Sequence, residues 1–409
     1  MHERQIFDRF HDALDVQLPP GAFSRLEARL AKAQVKSPWR PAIILPWLRT
    51  GQRMDRNRHA WALAVIAVLL VVAFVAALVS VRGFHISAPT PAGHNVGKSD
   101  PWIVYQWVSP KSDYVTTLYL VRPDGSGLHT LLPDSIWSRY SPAWSPDGQR
   151  IAFTANRGDR SDLWVVNADG SGARRIVSCD EPCNTVKSAD WSPDGRKILF
   201  TQDDLPAGPG GVPTGFEFKV LDLASNAVTT IFSEHEGMPV EGARWSPDGH
   251  QIAFRRAHLS PNGDEIGAAL FVRDRADGHE RQLTAWDSFA ADPDWGPDGR
   301  IVFNTLGGLG DKSNASNLYL IEPDGTGLRA LTTYTAGIKV GATPRWTPDG
   351  SAILFTQEEC WDGGPIAACL GDSGRWLRQL ATIKPDATGL ALATSTGVQG
   401  AHPELRPVL

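Results

Sequence analysis

Cysteine is scarce, with four in 409 residues and none before Cys179. No C-x-x-C pair occurs and no histidine sits beside the four, so a zinc site is not expected. The sequence also has no G-x-S-x-G elbow and no H-E-x-x-H. The histidines beyond residue 100 (His129, His235, His250, His258, His279 and His402) are scattered rather than paired. These absences lead to the expectation of no catalytic residue, no cofactor, no metal and a protein that is not an enzyme. Basic charge is lacking overall: the net charge of −5 argues against a broad nucleic-acid interface. The chain is not short of turn formers, and 39 Gly with 30 Pro exclude an all-helical protein and suit many short strands.

One long stretch lacks any charge. Residues Trp61 to Val81 form a 21-residue apolar run, long enough to cross a hydrocarbon core of about 30 Å. Arg49, Arg53, Arg56 and Arg58 precede it, whereas only Arg82 and Lys98 follow closely. Positive charge stays in the cytoplasm, so the run predicts a single transmembrane helix over 59–82 with the N-terminus inside. Residues 1–58 carry 11 Lys/Arg against 6 Asp/Glu, leaving a net −10 for the remainder. A basic head and an acidic body suggest two compartments. Within the head, Glu3–Asp15 and Ala22–Ala33 predict two short amphipathic helices, with Ile6, Phe7, Phe10 and Leu14 on one and Phe23, Leu26 and Leu30 on the other. Alone they have too little core to fold, which points to a cytoplasmic protein partner for residues 1–58. Residues 83–100 read as a Pro/Gly linker.

Beyond the linker one motif recurs. Trp144, Asp147 and Gly148 of a WSPDG pentapeptide return as Trp191, Asp194 and Gly195, then as Trp245, Asp248 and Gly249. They return again as Trp295, Asp298 and Gly299 and as Trp346, Asp349 and Gly350, at spacings of 47, 54, 50 and 51 residues. Such periods mark stacked units that share a core. Proline presets φ, Asp accepts a backbone N–H and Gly takes the left-handed conformation, so each pentapeptide closes a hairpin. Strands then start at Ile151, Ile198, Ile252, Ile301 and Ile353 with period-two alternation. Third strands follow at Leu163, Phe218, Leu270 and Leu318, and Asp-Gly turns such as Asp169-Gly170 lead to a short fourth. Four antiparallel strands per repeat predict an all-β propeller over 101–409.

Six units begin at an isoleucine once Ile103 is included, but the Ile103 unit has no Trp-ending strand before it. Residues 401–407 have the same shape as 140–146, with Leu405 in the Trp position. The C-terminus is therefore expected to pair into the first unit and close a six-bladed ring.

The WSPDG strands and the NADGSG turn at 167–172 resemble TolB-like propellers, a WD40-like repeat class of bacterial envelope proteins, over about three quarters of the chain. The resemblance implies a fold and an extracytoplasmic setting. In the namesake a soluble periplasmic propeller contacts a peptidoglycan-associated lipoprotein and follows an α/β domain, which an anchor replaces here. Inner helices, one span and an outer domain also resemble transmembrane anti-sigma regulators.

The cysteines all follow the predicted span, where oxidation favours disulfides. Of three connectivities, the local pairs Cys179–Cys183 and Cys360–Cys369 are expected. Short uniform turns occupy one end of the ring, and long variable loops the other, where recognition usually lives. Asp159, Arg160, Asp203, Asp204, Arg255, Arg256 and Trp361 on these loops form the candidate binding face. An envelope protein or glycan is the expected partner, with membrane contact through one helix and none to nucleic acid. An enzyme with convergent loop residues is the alternative.

Overall fold

The computed structural model describes residues 100–108, 116–132, 138–157, 160–204, 215–234, 238–305, 316–334, 339–360, 376–393 and 400–407. All belong to the second of two compact units, Ser87–Leu409. The expected cytoplasmic helices, the apolar run and most of the linker lie outside the described residues. Among the described residues no helix is long and apolar enough to cross a membrane, and the single helical element is a 3-10 turn, Trp286–Ser288.

The remainder is β-structure in four-stranded antiparallel units. One unit holds β1 (Ile103–Val108), β2 (Thr116–Val121) and β3 (His129–Thr130). The next holds β4 (Arg139–Trp144), β5 (Arg150–Arg157), β6 (Arg160–Asn167) and β7 (Arg174–Val177). It is followed by β8 (Cys183–Trp191), β9 (Lys197–Asp204), β10 (Phe216–Asp222) and β11 (Val228–Glu234). Then come β12 (Val240–Trp245), β13 (Gln251–Leu259), β14 (Glu265–Asp274) and β15 (Glu280–Gln282). β16 (Ala290–Trp295), β17 (Ile301–Thr305), β18 (Leu318–Ile321) and β19 (Arg329–Ala330) form another. The last comprises β20 (Lys339–Trp346), β21 (Ile353–Cys360), β22 (Trp376–Ile383) and β23 (Ala391–Leu392), and β24 (Ala401–Leu405) ends the chain. β24 pairs antiparallel with β1, giving the sheet order β24-β1-β2-β3. A single parallel pair, Ser161 with Thr185, links the β4–β7 and β8–β11 units.

Register repeats from unit to unit. Ile151 lies opposite Trp144, Ile198 opposite Trp191 and Ile252 opposite Trp245. Ile301 faces Trp295, Ile353 faces Trp346, and Ile103 faces Leu405 in the same way. The turn chemistry explains why. The Gly148 N–H donates to the Ser145 carbonyl at 2.8 Å, the Gln149 N–H donates to Asp147 Oδ1 at 2.9 Å, and the Arg150 N–H donates to Ser145 Oγ at 2.9 Å. Gly148 itself sits at φ +61°, and a Cβ there would fall 2.6 Å from the Pro407 carbonyl oxygen. Only glycine meets both demands without strain.

The core lies between units rather than within them. Trp102, Val104, Leu118 and Leu120 of one unit pack against Trp144, Ile151 and Phe153 of the next. Val302, Leu318 and Leu320 likewise meet Trp346, Ile353 and Phe355. Each fully buried side chain of this size contributes about 1.5–3 kcal/mol. Trp144, Trp191, Trp245 and Trp346 are buried and Trp295 half-buried, so the repeat tryptophans serve as packing. The innermost strands neighbour one another in the order β24, β4, β8, β12, β16 and β20, and β20 in turn neighbours β24. The architecture is that of a β-propeller.

Cys179 and Cys183 form the expected disulfide, with Cα atoms 5.2 Å apart. Cys360 is also disulfide-bonded, while Cys369 lies outside the described residues.

Candidate functional site

Each inner strand carries an irregularity three residues before its last. Ser141, Ser188, Asp292, Thr343 and His402 all have φ between +49° and +56°, and Gly242 takes the sixth equivalent place at +65°. The pairing register slips at these points, from Tyr140 to Ala143, from Lys187 to Asp190 and likewise in β12, β16, β20 and β24. Such bulges re-aim side chains, and left-handed non-glycine residues collect at functional sites. Here they bring together the residue just before the last of each inner strand, a tryptophan in five strands and Leu405 in β24. In ring order these are Glu404, Ala143, Asp190, Arg244, Asp294 and Arg345.

The charged side chains among them converge and act on one another, while Ala143 packs in an apolar cluster. Arg244 Nη1 lies 3.6 Å from Asp190 Oδ1, and its Nε lies 4.0 Å from Asp294 Oδ1. The Arg244 Nη1 also donates to the Ala189 carbonyl at 3.0 Å. Asp190 Oδ2 accepts the Trp245 N–H at 2.8 Å, Asp294 Oδ2 accepts the Trp346 N–H at 2.8 Å, and Glu404 Oε1 accepts the Trp144 N–H at 3.0 Å. These carboxylates therefore bind adjacent units together as well as facing the axis.

Electrostatics distinguishes the three acids. Burial pushes Glu404 up to about 8, with Arg244 and Arg345 pulling down and Asp190 and Asp294 pushing up further. Burial raises Asp190 to about 6 against the pull of Arg244, and it raises Asp294 as well. His402, one bulge position away, is pushed down to about 4 by burial, opposed by Asp292 and reinforced by Arg345 and Arg244. Asp190 and Asp294 keep 23% and 17% of their side-chain surface accessible, so their burial is incomplete and water screens part of the effect.

The candidate binding face expected from sequence is placed differently. Asp203 is buried, with Lys187 Nζ 2.9 Å from its Oδ2 and 3.4 Å from Glu241 Oε2. Arg255 is buried between Glu241, at 2.8 Å, and Glu265. Arg256 pairs with Glu234 at 3.5 Å and Glu280 at 3.0 Å and lies 4.6 Å above the Phe271 ring. The reading of Asp203, Arg255 and Arg256 as open ligand contacts is therefore corrected: all three are committed to internal ion pairs. Asp204 is half-buried at the end of β9, and its N–H donates to the Gly215 carbonyl at 3.0 Å. Arg160 reaches Glu181 in the disulfide loop at 2.7 Å. Asp159 and Trp361 lie outside the described residues.

No family model matches this chain. A TolB from Acinetobacter baumannii superposes with a TM-score of 0.57 at 20% identity, covering 76% of this chain and 67% of that one. The fold is TolB-like. The Tol-Pal system protein TolB of Anaeromyxobacter dehalogenans (strain 2CP-C) is 56% identical over 39 residues, 10% of this chain and 9% of that protein. A Bacillus subtilis (strain 168) protein described as the uncharacterized peptidase YuxL is 27% identical over 135 residues, 33% of this chain. That segment is 19% of the peptidase, so this chain spans well under a quarter of the length of the relatives it matches. The match nonetheless overturns the expectation that the chain is not an enzyme. A protein described as a peptidase carries a matching segment, and absent linear motifs say little about sites assembled from separate strands.

Proposed function

We propose that this chain is a bacterial envelope protein whose six-bladed propeller, closed by β24 on β1, binds a protein partner through the charged ring on its axis. The observation that carries the reading is the convergence of Asp190, Arg244, Asp294, Arg345 and Glu404 within a TolB-like fold. Charged groups held apart from bulk water favour a charged partner over a neutral glycan, which would call for exposed aromatic platforms. In this reading the apolar run Trp61–Val81 spans the membrane, residues 1–58 face the cytoplasm and an interacting protein there, and the propeller lies outside. Site-specific photo-crosslinking in cells tests the binding claim. A crosslinker at Ser188 should yield a discrete adduct that one at the exposed outer position Leu128 does not, and equal labelling at both would refute it. Protease added to spheroplasts should remove the propeller and spare residues 1–58; the opposite pattern would reverse the topology.

A second reading, hydrolysis at the same ring, is favoured by the peptidase match together with Glu404 near 8 and Asp190 near 6. Two carboxyls separated in this way provide an acid and a base near neutral pH. Turnover of a peptide library that survives both Glu404→Gln and Asp190→Asn would exclude it.

A further inference from the structure

The outermost strands of the units are not alike. β3, β7, β15, β19 and β23 run for two, four, three, two and two residues, whereas β11 runs for seven and pairs with β10 at both of its ends. Propellers ordinarily leave only short, protected edges. The sheet order ends at β9-β10-β11, and among the described residues no strand pairs with the outer side of β11. The Asp222 N–H donates to the Ala227 carbonyl at 2.9 Å. By antiparallel alternation Thr229 then turns its N–H and C=O toward β10, while Val228 and Thr230 turn theirs outward.

The sequence of β11, VTTIFSE, does little to blunt that edge. Lysine, arginine and proline, the usual protections, are missing from it. Its one charge, Glu234, lies 3.5 Å from Arg256, and Val228, Thr229, Thr230 and Ser233 are exposed. A single bulge interrupts the ladder: Phe218 faces Phe232 and Lys219 faces Thr230, leaving Ile231 as the extra residue. That bulge serves packing, because it lets consecutive Ile231 and Phe232 both lie against the apolar core shared with β12 and β13. A nearly uncharged, β-prone segment left open in this way is suited to pairing with another strand.

The bulge also makes β11 complementary to itself. Thr229 and Phe232 share the face of Val220 and Phe218, while Val228, Thr230 and Ser233 share that of Leu221, Lys219 and Glu217. Two copies laid antiparallel with Thr229 opposite Phe232 put Val228 opposite Ser233 and Glu234 opposite Ala227. Faces then match and no like charges meet. The aromatic–β-branched pair, Thr229 with Phe232, occurs twice and is a favoured one. We propose that β11 is where two copies of this chain associate, edge to edge about a two-fold axis, through main-chain hydrogen bonds. The contact uses the same edge on both copies, so association stops at a dimer. An edge pair alone is smaller than the standard interface of about 1,200 Å² or more, so the dimer is weak and concentration-dependent.

The test is sedimentation velocity of the full-length protein in detergent over a wide range of concentration. Wild type should pass from monomer to dimer and no further. Thr230→Pro removes an outward N–H, a place where an edge strand tolerates proline, and should weaken the dimer at least tenfold. Should that variant fail to fold, Thr230→Lys carries the test, because lysine suits an exposed position and sets like charges beside the two-fold axis. Leu128→Ser, which removes a comparably exposed apolar side chain elsewhere, should leave the dimer unchanged. A monomer at every concentration, a dimer equally strong in wild type and the folded Thr230 variant, or assemblies that grow beyond two copies would each overturn the proposal.

Discussion

Replacing Glu404 by glutamine should stabilise this protein at alkaline pH and not at acid pH. In the folded chain the Glu404 carboxyl titrates near 8, whereas in the unfolded chain it titrates near its ordinary value of 4.5. Between those values the fold holds a proton that the unfolded chain has lost, so stability falls as pH rises and most of the penalty is present by pH 8. The displacement corresponds to an upper limit on the order of 5 kcal/mol, at about 1.4 kcal/mol per pH unit. Glu404 is only half-buried and solvent screens it in part, so about half of that limit is the better expectation. Glutamine cannot ionise and still accepts the Trp144 N–H, so the contact to the neighbouring unit survives. For a domain of this size, about 2–3 kcal/mol corresponds to roughly 5 °C. Thermal melts of wild type and Glu404→Gln at pH 5 and pH 8 should show the variant gaining by this amount only at the higher pH. Titrations of Asp190 and His402 occur in both proteins and largely cancel in the difference. A gap between the two proteins that does not change with pH would refute the assignment of a neutral Glu404.

Other perturbations test the remaining structure. Arg406 is buried, donates from Nε to the Gly148 carbonyl at 2.7 Å and lies 5.4 Å over the Trp144 ring. Arg406→Ala should therefore cost about 3 kcal/mol in chemical denaturation; a change within experimental error would deny the residue after β24 a part in joining the first unit to the β4–β7 unit. Gly148→Ala should destabilise by more than about 1 kcal/mol, because its left-handed φ and the nearby Pro407 oxygen both oppose a methyl. Opening Cys179–Cys183 by double serine substitution should cost no more than about 2 kcal/mol, since the loop closed is short. Hydrogen bonds from Ser192 and Ser246 hold Asp194 and Asp248 below their ordinary values, so their contribution is lost as pH falls through those lowered values. Ser246→Ala should flatten part of the acid limb of a stability–pH profile.

The repeat was readable because its chemistry is local. A WSPDG turn needs glycine at positive φ, and the isoleucine that follows must face the tryptophan if the hairpin is tight, so five registers followed from five pentapeptides. The sixth came from a shape rather than a match: 401–407 keeps the proline and the apolar terminus of 140–146 but not the tryptophan, and Leu405 still falls opposite Ile103. Arg255 was misplaced for a reason the same periodicity could have exposed. Counted from the isoleucine after each WSPDG turn, its equivalents are Thr154, Thr201, Asn304 and Thr356, and all are buried, while Gln106 of the first unit is half-buried. Placing it on a solvated loop let charge outweigh position.

The charged ring was hidden by the opposite problem. Its members stand one residue before each repeat tryptophan or, in β24, before Leu405, so aligning the repeats displays −, 0, −, +, −, + around the ring, a legible signal once the position is known to face the axis. Nothing local reveals that it does. The bulge three residues before the end of each inner strand is built on serine, aspartate, threonine and histidine at positive φ, where residue preference alone would favour glycine and finds it only at Gly242. Those strained residues are held because each inner strand is fixed at its tryptophan end by the hairpin and on its flanks by neighbouring units, a constraint that exists only in the assembled ring. Scaffold and site thus differ in where their information resides: the turns are specified by five consecutive residues, while the ring is specified by six residues spread from Ala143 to Glu404. The same asymmetry explains why likeness of fold carries over to this chain more readily than likeness of activity.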